Sequence, residues 1–146
     1  MNRIDEAVGL FDDGFNCSQA MLAVCGPQFG LERKTALRIA AGFGGGVGCM
    51  GDTCGALTVA FMVIGLKYGA IDPADKESKL STYTLIRQAA EMFAKRTGAL
   101  NCRDLLGFDL STPEGKEQAA KEDAFEICAD LIKYAAEILE EILGED

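Results

Sequence analysis

The sequence has no histidine, no tryptophan and only 3 prolines, and it sets 14 basic residues against 23 acidic ones. Without histidine there is no Ser-His-Asp triad, no Cys-His protease pair, no two-Cys/two-His zinc finger, no His-ligated haem and no histidine proton shuttle. Acid–base or metal chemistry must therefore use Cys, Asp, Glu, Lys or Tyr. The shortage of positive charge leaves a net charge of −9. Such a surface repels phosphate backbones, so no nucleic-acid partner is expected. No Cys-x-x-Cys occurs, which argues against a thioredoxin-like site, a zinc ribbon and a common ferredoxin arrangement. The N-terminal stretch MNRIDEAVGLFDDG has no basic segment followed by an apolar one. A signal peptide is not expected, and the default compartment is a reducing cytoplasm.

What is present is apolar and helical. The chain has 146 residues, 49% of them hydrophobic, enough for one domain over 1–146 with its own core. Ile39 to Leu66 carries a single charge, Asp52, in 28 residues. That is long enough to span a bilayer. Seven glycines between Gly42 and Gly55 oppose a regular helix there, so a buried core element is expected and no membrane insertion.

Strand patterns are nearly absent. Ile4, Ala7, Val8 and Phe11 fall at helical spacing, closed by Gly14. Asn16 is an N-cap for a helix carrying Cys17, Ala20, Met21 and Val24, stopped near Gly26-Pro27. A third helix is predicted from Glu32 to Ala41, with Ala36, Leu37 and Ala40 on one side. The run from Gly42 to Gly51 reads as a flexible, tightly turning loop. Asp52 or Thr53 is the expected cap of the next helix, Cys54 to Tyr68, apolar nearly all round and hence central.

Asp72-Pro73 reads as a cap and first position of a long amphipathic helix ending at Gly98. A short helical turn is expected from Asn101, and another helix from Thr112-Pro113. Asp123 with Glu126 resembles a capping box for a last helix with an apolar stripe from Phe125 to Ile142. That stripe suits a core face or a homodimer face. Its Lys and Glu residues read as a solvated side with i,i+4 pairs, and Tyr68, Tyr83 and Tyr134 read as packing. The expected fold is an all-α, single-domain bundle of six or seven helices, with a buried central helix after the Gly-rich loop.

The cysteines carry the chemical signal. Cys17, Cys54 and Cys102 each follow a predicted cap (Asn16, Thr53, Asn101) in a first helical turn. Free N–H groups and the positive dipole end there favour a thiolate. A single such cysteine reads equally well as a small buried hydrophobe; three together favour chemistry. Cys128 sits on the last helix's apolar stripe and reads alone as core, or with the others as a resolving thiol or fourth ligand. Cys25 abuts Gly26-Pro27 and reads as core or helix-end filler. Cys49 lies in the glycine loop, within reach of Cys54 if the loop bends. Gly42 to Gly48 lacks the preceding strand of a dinucleotide fingerprint, and Gly51-Asp52-Thr53 stands where a phosphate loop needs Gly-Lys-Ser/Thr. No nucleotide site is expected. The glycines are read instead as close backbone approach around Cys54.

The chain resembles the redox-active protein family labelled C_GCAxxG_C_C. The resemblance rests on Asn16-Cys17-Ser18-Gln19-Ala20, on Gly42-Phe43-Gly44-Gly45-Gly46 leading to Met50-Gly51-Asp52-Thr53-Cys54-Gly55-Ala56, on Cys102-Arg103-Asp104-Leu105-Leu106-Gly107 and on Cys128. It places the family's four cysteines at Cys17, Cys54, Cys102 and Cys128, with Cys25 and Cys49 as extras. Val59 stands where the family's pattern has a glycine. The resemblance implies redox activity. The expectation is a cytoplasmic thiol protein in which Cys54 attacks a disulfide or oxidant, Cys17 resolves the intermediate, and Cys102 and Cys128 form a second pair or support. A redox partner is implied but not identified. The alternatives are Cys17, Cys54, Cys102 and Cys128 as ligands of a metal ion or iron–sulfur cluster, and a helical interaction module whose cysteines are mainly core.

Overall fold

A computed structural model describes residues 2–144; positions 1, 145 and 146 of the expected 1–146 domain lie outside the described residues. The helix starts follow local side-chain chemistry. Asn2 accepts the Asp5 N–H at 2.8 Å and opens α1, Arg3–Asp12. Asn16 opens α2, Cys17–Cys25: its Oδ1 accepts the Gln19 N–H at 2.9 Å, and Gln19 Oε1 accepts the Asn16 N–H at 3.3 Å. The two satisfy each other's orphan groups as a capping box. After a 3₁₀ turn at Pro27–Phe29 comes α3, Arg33–Ala40, with Ala36 and Ala40 buried.

The central helix α4, Gly55–Tyr68, buries seven residues from Gly55 to Ile64. It packs against α2, against α5 (Lys76–Thr97) and against α8 (Ile127–Leu143). Val59 is fully buried there, so a valine fills the space that the family's glycine would leave. Two short helices, α6 (Cys102–Leu106) and α7 (Pro113–Lys121), complete the set. Thr112 Oγ1 caps α7 by accepting the Gly115 N–H at 3.0 Å. The all-α expectation holds, with eight α-helices among the described residues once the five-residue α6 is counted. No helix among the described residues is long and apolar enough to cross a membrane.

Three caps differ from expectation. Helix α5 begins at Lys76, capped by Asp75 on the Ser78 N–H, while Asp72-Pro73 forms a turn in which Asp72 accepts the Ala74 N–H. The second acid in the Asp72-Pro73-Ala74-Asp75 run is the one that caps. Asp123 adopts a left-handed conformation (φ +54) at a 3₁₀ turn, Ala124–Glu126, and makes no capping bond. Neither Asp52 nor Thr53 caps α4: the N-cap is Cys54 itself.

The apolar stripe of α8 is spent on this chain's own core, with Leu131, Ile132, Ala135, Ile138 and Leu139 all buried. Its upstream end, Phe125, is exposed. The i,i+4 ion pairs expected on α8 form on α5 (Glu91–Lys95) and α7 (Glu117–Lys121), and Glu137 of α8 reaches across to Arg96. Tyr68 and Tyr134 pack on the core, whereas Tyr83 is exposed.

Candidate functional site

The glycine loop is a hydrogen-bonded turn. Residues Gly45, Gly46, Val47, Gly48 and Cys49 run consecutively at φ between +57 and +73, a left-handed turn. At a β-branched Val47 this conformation costs on the order of 1–2 kcal/mol. Backbone bonds hold it: Gly48 N–H to Gly42 O at 2.7 Å, Cys49 N–H to Gly44 O at 3.0 Å, and Asp52 N–H to Gly46 O at 2.9 Å. Gly46 is required by space as well as by φ, since an added Cβ would meet the Asp52 carbonyl oxygen at 2.4 Å and the Cys102 Cβ at 2.8 Å.

The turn delivers Asp52–Cys54 to a second segment. Thr53 and Asn101 form an isolated antiparallel bridge, with the Cys54 N–H on Leu100 O at 2.8 Å and the Cys102 N–H on Asp52 O at 2.7 Å. Side chains alternate across extended backbone. Cys54 and Cys102 each follow a bridged residue, so they point to the same side. Two cysteines 48 positions apart in sequence thereby reach one place.

That place is a half-enclosed cavity of about 520 Å³, lined by Cys17, Cys49, Cys54, Cys102 and Cys128. Gly42, Gly44, Gly45 and Gly55 form part of its wall. Its remaining lining is mainly apolar: Phe11, Leu106, Leu110, Phe125 and Leu131, with Lys116 as the one charged side chain among the described residues. The four cysteines singled out in the sequence thus share one cavity, and Cys49 joins them. Cys25 lies elsewhere, buried in the core beside Met21 and Ala7. Sequence reasoning missed Lys116, Phe11, Leu106, Leu110 and the wall they build. The α7 pattern marks Lys116 only as a surface residue.

The sulfurs fall into two groups. Cys17 and Cys54 belong to the main core, while Cys49 and Cys128 pack on Cys102 in a satellite cluster with Leu106 and Leu110. The Cys17 thiol lies within hydrogen-bonding reach of the Cys54 sulfur. Gly55 makes this approach feasible, because a Cβ there would stand 2.8 Å from Cys17 Sγ and 2.8 Å from Phe43 O.

Of the three helix-start cysteines, only Cys54 has its thiol lowered, and a neighbouring sulfur leads the lowering. The hydrogen bond from Cys17 lowers the Cys54 thiol to about 7, against the opposing cost of burial, and the Leu57 and Ala56 N–H groups add to the lowering. Cys54 is the N-cap residue of α4, which leaves its sulfur beside the helix's unpaired N–H groups. At Cys17 the direction reverses: donating to Cys54 holds its proton and raises it well above the usual thiol value, and burial adds to this. Burial likewise pushes Cys102 to about 11 and Cys128 to about 12. At Cys102 and Cys128 desolvation sets the direction. Among the described residues no three Cys, Asp or Glu side chains come together as a ligand group for a metal ion.

The fold and site define a class: an all-α protein whose glycine turn and central helix gather five thiols around one apolar cavity. Residues 15–142 match the family model described as putative redox-active protein (C_GCAxxG_C_C), and the chain belongs to that family. Comparison with curated proteins and with solved structures returned no match.

Proposed function

We propose that this protein is a cytoplasmic thiol–disulfide redox protein with Cys54 as nucleophile and Cys17 as resolving thiol. The observation that carries the reading is the Cys17–Cys54 contact at the start of α4, with Cys54 lowered to about 7 and the neighbouring thiols raised. A sulfur titrating near ambient pH combines a useful thiolate fraction with good nucleophilicity.

The Cys54 thiolate attacks one sulfur of a substrate disulfide. The S–S bond breaks, and its electron pair leaves on the other half as a thiolate, which takes a proton from water. Cys17 then attacks the Cys54 sulfur in the mixed disulfide and expels the remaining half, which takes up the proton lost from Cys17. The substrate is reduced to two thiols, and Cys17 and Cys54 are oxidised to a disulfide. An external dithiol restores them. Cys102 and Cys128 stay protonated at neutral pH and act as a second pair or as support.

The test is to oxidise fully reduced protein with a stoichiometric disulfide, quench with an alkylating reagent and map the sulfurs by mass spectrometry. A Cys17–Cys54 bond is expected. The reading fails if oxidation leaves every sulfur unpaired and unmodified, or if Cys54→Ser reacts as the parent does. A metal-bearing, coloured protein from anaerobic purification would point instead to Cys17, Cys54, Cys102 and Cys128 as cluster ligands.

A further inference from the structure

We infer that the cavity's substrate is a small organic disulfide with an apolar, aromatic-sized body and a carboxylate, the carboxylate being met by Lys116 at the rim. The inference rests on Cys54 being the nucleophile.

Access argues for a small molecule. Cys54 is 4% exposed and Cys102 9%, and the sulfurs are reached through the cavity. A disulfide held on another protein's surface would have to enter with its flanking backbone. A volume of about 520 Å³ lies within the usual range for small-ligand pockets, roughly 300–1,000 Å³.

The walls argue for an apolar body. Phe11, Leu106, Leu110, Phe125 and Leu131 offer no polar group, and the amide of Asn16, which also lines the cavity, is already bonded to Ala41 O and the Gln19 N–H, so a hydrophilic disulfide would shed its water with few replacement bonds. An aryl group loses little on entering and gains contact with the two phenyl rings.

The charge argues for an anion. Lys116 is the cavity's one charged lining residue and is solvent-exposed, so it stands at the mouth; it makes no ion pair among the described residues. On a chain of net charge −9 most of the surface repels a carboxylate, and Lys116 is the charged group that this lining sets against that repulsion. In the reaction the aryl half on the apolar wall bonds to Cys54 and the other leaves as a thiolate. Cys17 then displaces the first, and two aryl thiols depart while Cys17 and Cys54 become a disulfide.

The test uses the reduced full-length chain and three probes: 5,5′-dithiobis(2-nitrobenzoate), which is aromatic and carboxylated; 4,4′-dithiodipyridine, aromatic and neutral; and 2-hydroxyethyl disulfide, small and polar. The Cys54-dependent rate is the rate lost in Cys54→Ser. Each is divided by the rate of free glutathione with the same probe, which removes intrinsic reactivity. The normalised rate should be higher for both aromatic probes than for hydroxyethyl disulfide. Lys116→Gln should slow the nitrobenzoate probe about threefold to tenfold at low salt, spare the dipyridine, and lose its effect at 1 M salt. Lys116→Arg should retain the parent rate. Lys79→Gln, which removes the same net charge on α5, is the control.

No Cys54-dependent reaction with any probe would overturn the thiol-redox reading itself. A reactive Cys54 without preference for aromatic probes, or a Lys116→Gln that behaves as Lys79→Gln does, would leave that reading standing and overturn this one.

Discussion

Replacing Cys17 by alanine isolates the interaction on which the reactivity of Cys54 depends. The lowering of Cys54 to about 7 is led by the hydrogen bond from Cys17, and burial pulls the other way. With the donor gone, burial faces only the Ala56 and Leu57 N–H groups, and the midpoint should rise to about 9 or higher. At pH 7 the thiolate fraction then falls about 50-fold, from roughly half to roughly 1%. Each thiolate is more nucleophilic by about eightfold over two pK units, given a Brønsted slope of about 0.45. The net effect is a rate about sixfold lower at pH 7 and a plateau about eightfold higher above pH 10. The two pH–rate curves therefore cross. The assay is iodoacetamide alkylation of Cys54, followed by peptide mass spectrometry between pH 5 and 11. Cys17→Ser, which keeps a hydroxyl donor, should hold the midpoint within about one unit of the parent. A Cys17→Ala midpoint still near 7, or curves that do not cross, would refute the reasoning.

Gly55→Ala places a Cβ 2.8 Å from Cys17 Sγ and 2.8 Å from Phe43 O; it should cost about 2 kcal/mol by overpacking, or roughly 6–8 °C in Tm, and raise the alkylation midpoint of Cys54. Gly46→Ala meets backbone at 2.4 Å with φ +73 and should cost about 3 kcal/mol or more, seen as a lower urea midpoint; a loss below about 1 kcal/mol would contradict the packing described. Asn16→Ala removes the cap on Gln19 and the bond from Nδ2 to Ala41 O at 3.1 Å, and should lower stability by about 1–2 kcal/mol in urea melts. In reducing buffer, stability should fall as pH rises from about 8.5 towards 12. Cys25, Cys102 and Cys128 keep their protons to about 11 or 12 when folded, while the unfolded chain releases them near 8.5. Cys54 acts oppositely, adding stability as pH rises from about 7 to about 8.5. Urea midpoints between pH 6 and 11 check both signs, and Cys25→Ala should flatten the alkaline fall.

The helices were legible because their signals are local. Asn16, Thr112-Pro113 and the apolar run after Cys54 act within one or two turns, and a 3.6-residue period survives any tertiary context. Caps failed where two acids competed, as Asp72 and Asp75 do, or where a turn intervened, as at Asp123. The left-handed run through Val47 and Cys49 had no such signal, since neither residue favours positive φ. Long-range bonds from Asp52 and Cys54 to 100–102 help hold it.

Composition alone settled that this chemistry must do without histidine, and helix-start position marked Cys17, Cys54 and Cys102 as sulfurs to watch. Which of them ionises was a matter of the third dimension. All three sit at or beside a helix start, but only Cys54 both stands at the N-cap position and accepts a hydrogen bond from a partner 37 positions away in sequence. Dipoles belong to a helix and can be read along a chain. Desolvation and a sulfur–sulfur contact belong to whatever the fold packs alongside, and here they push Cys54 down and its neighbours up.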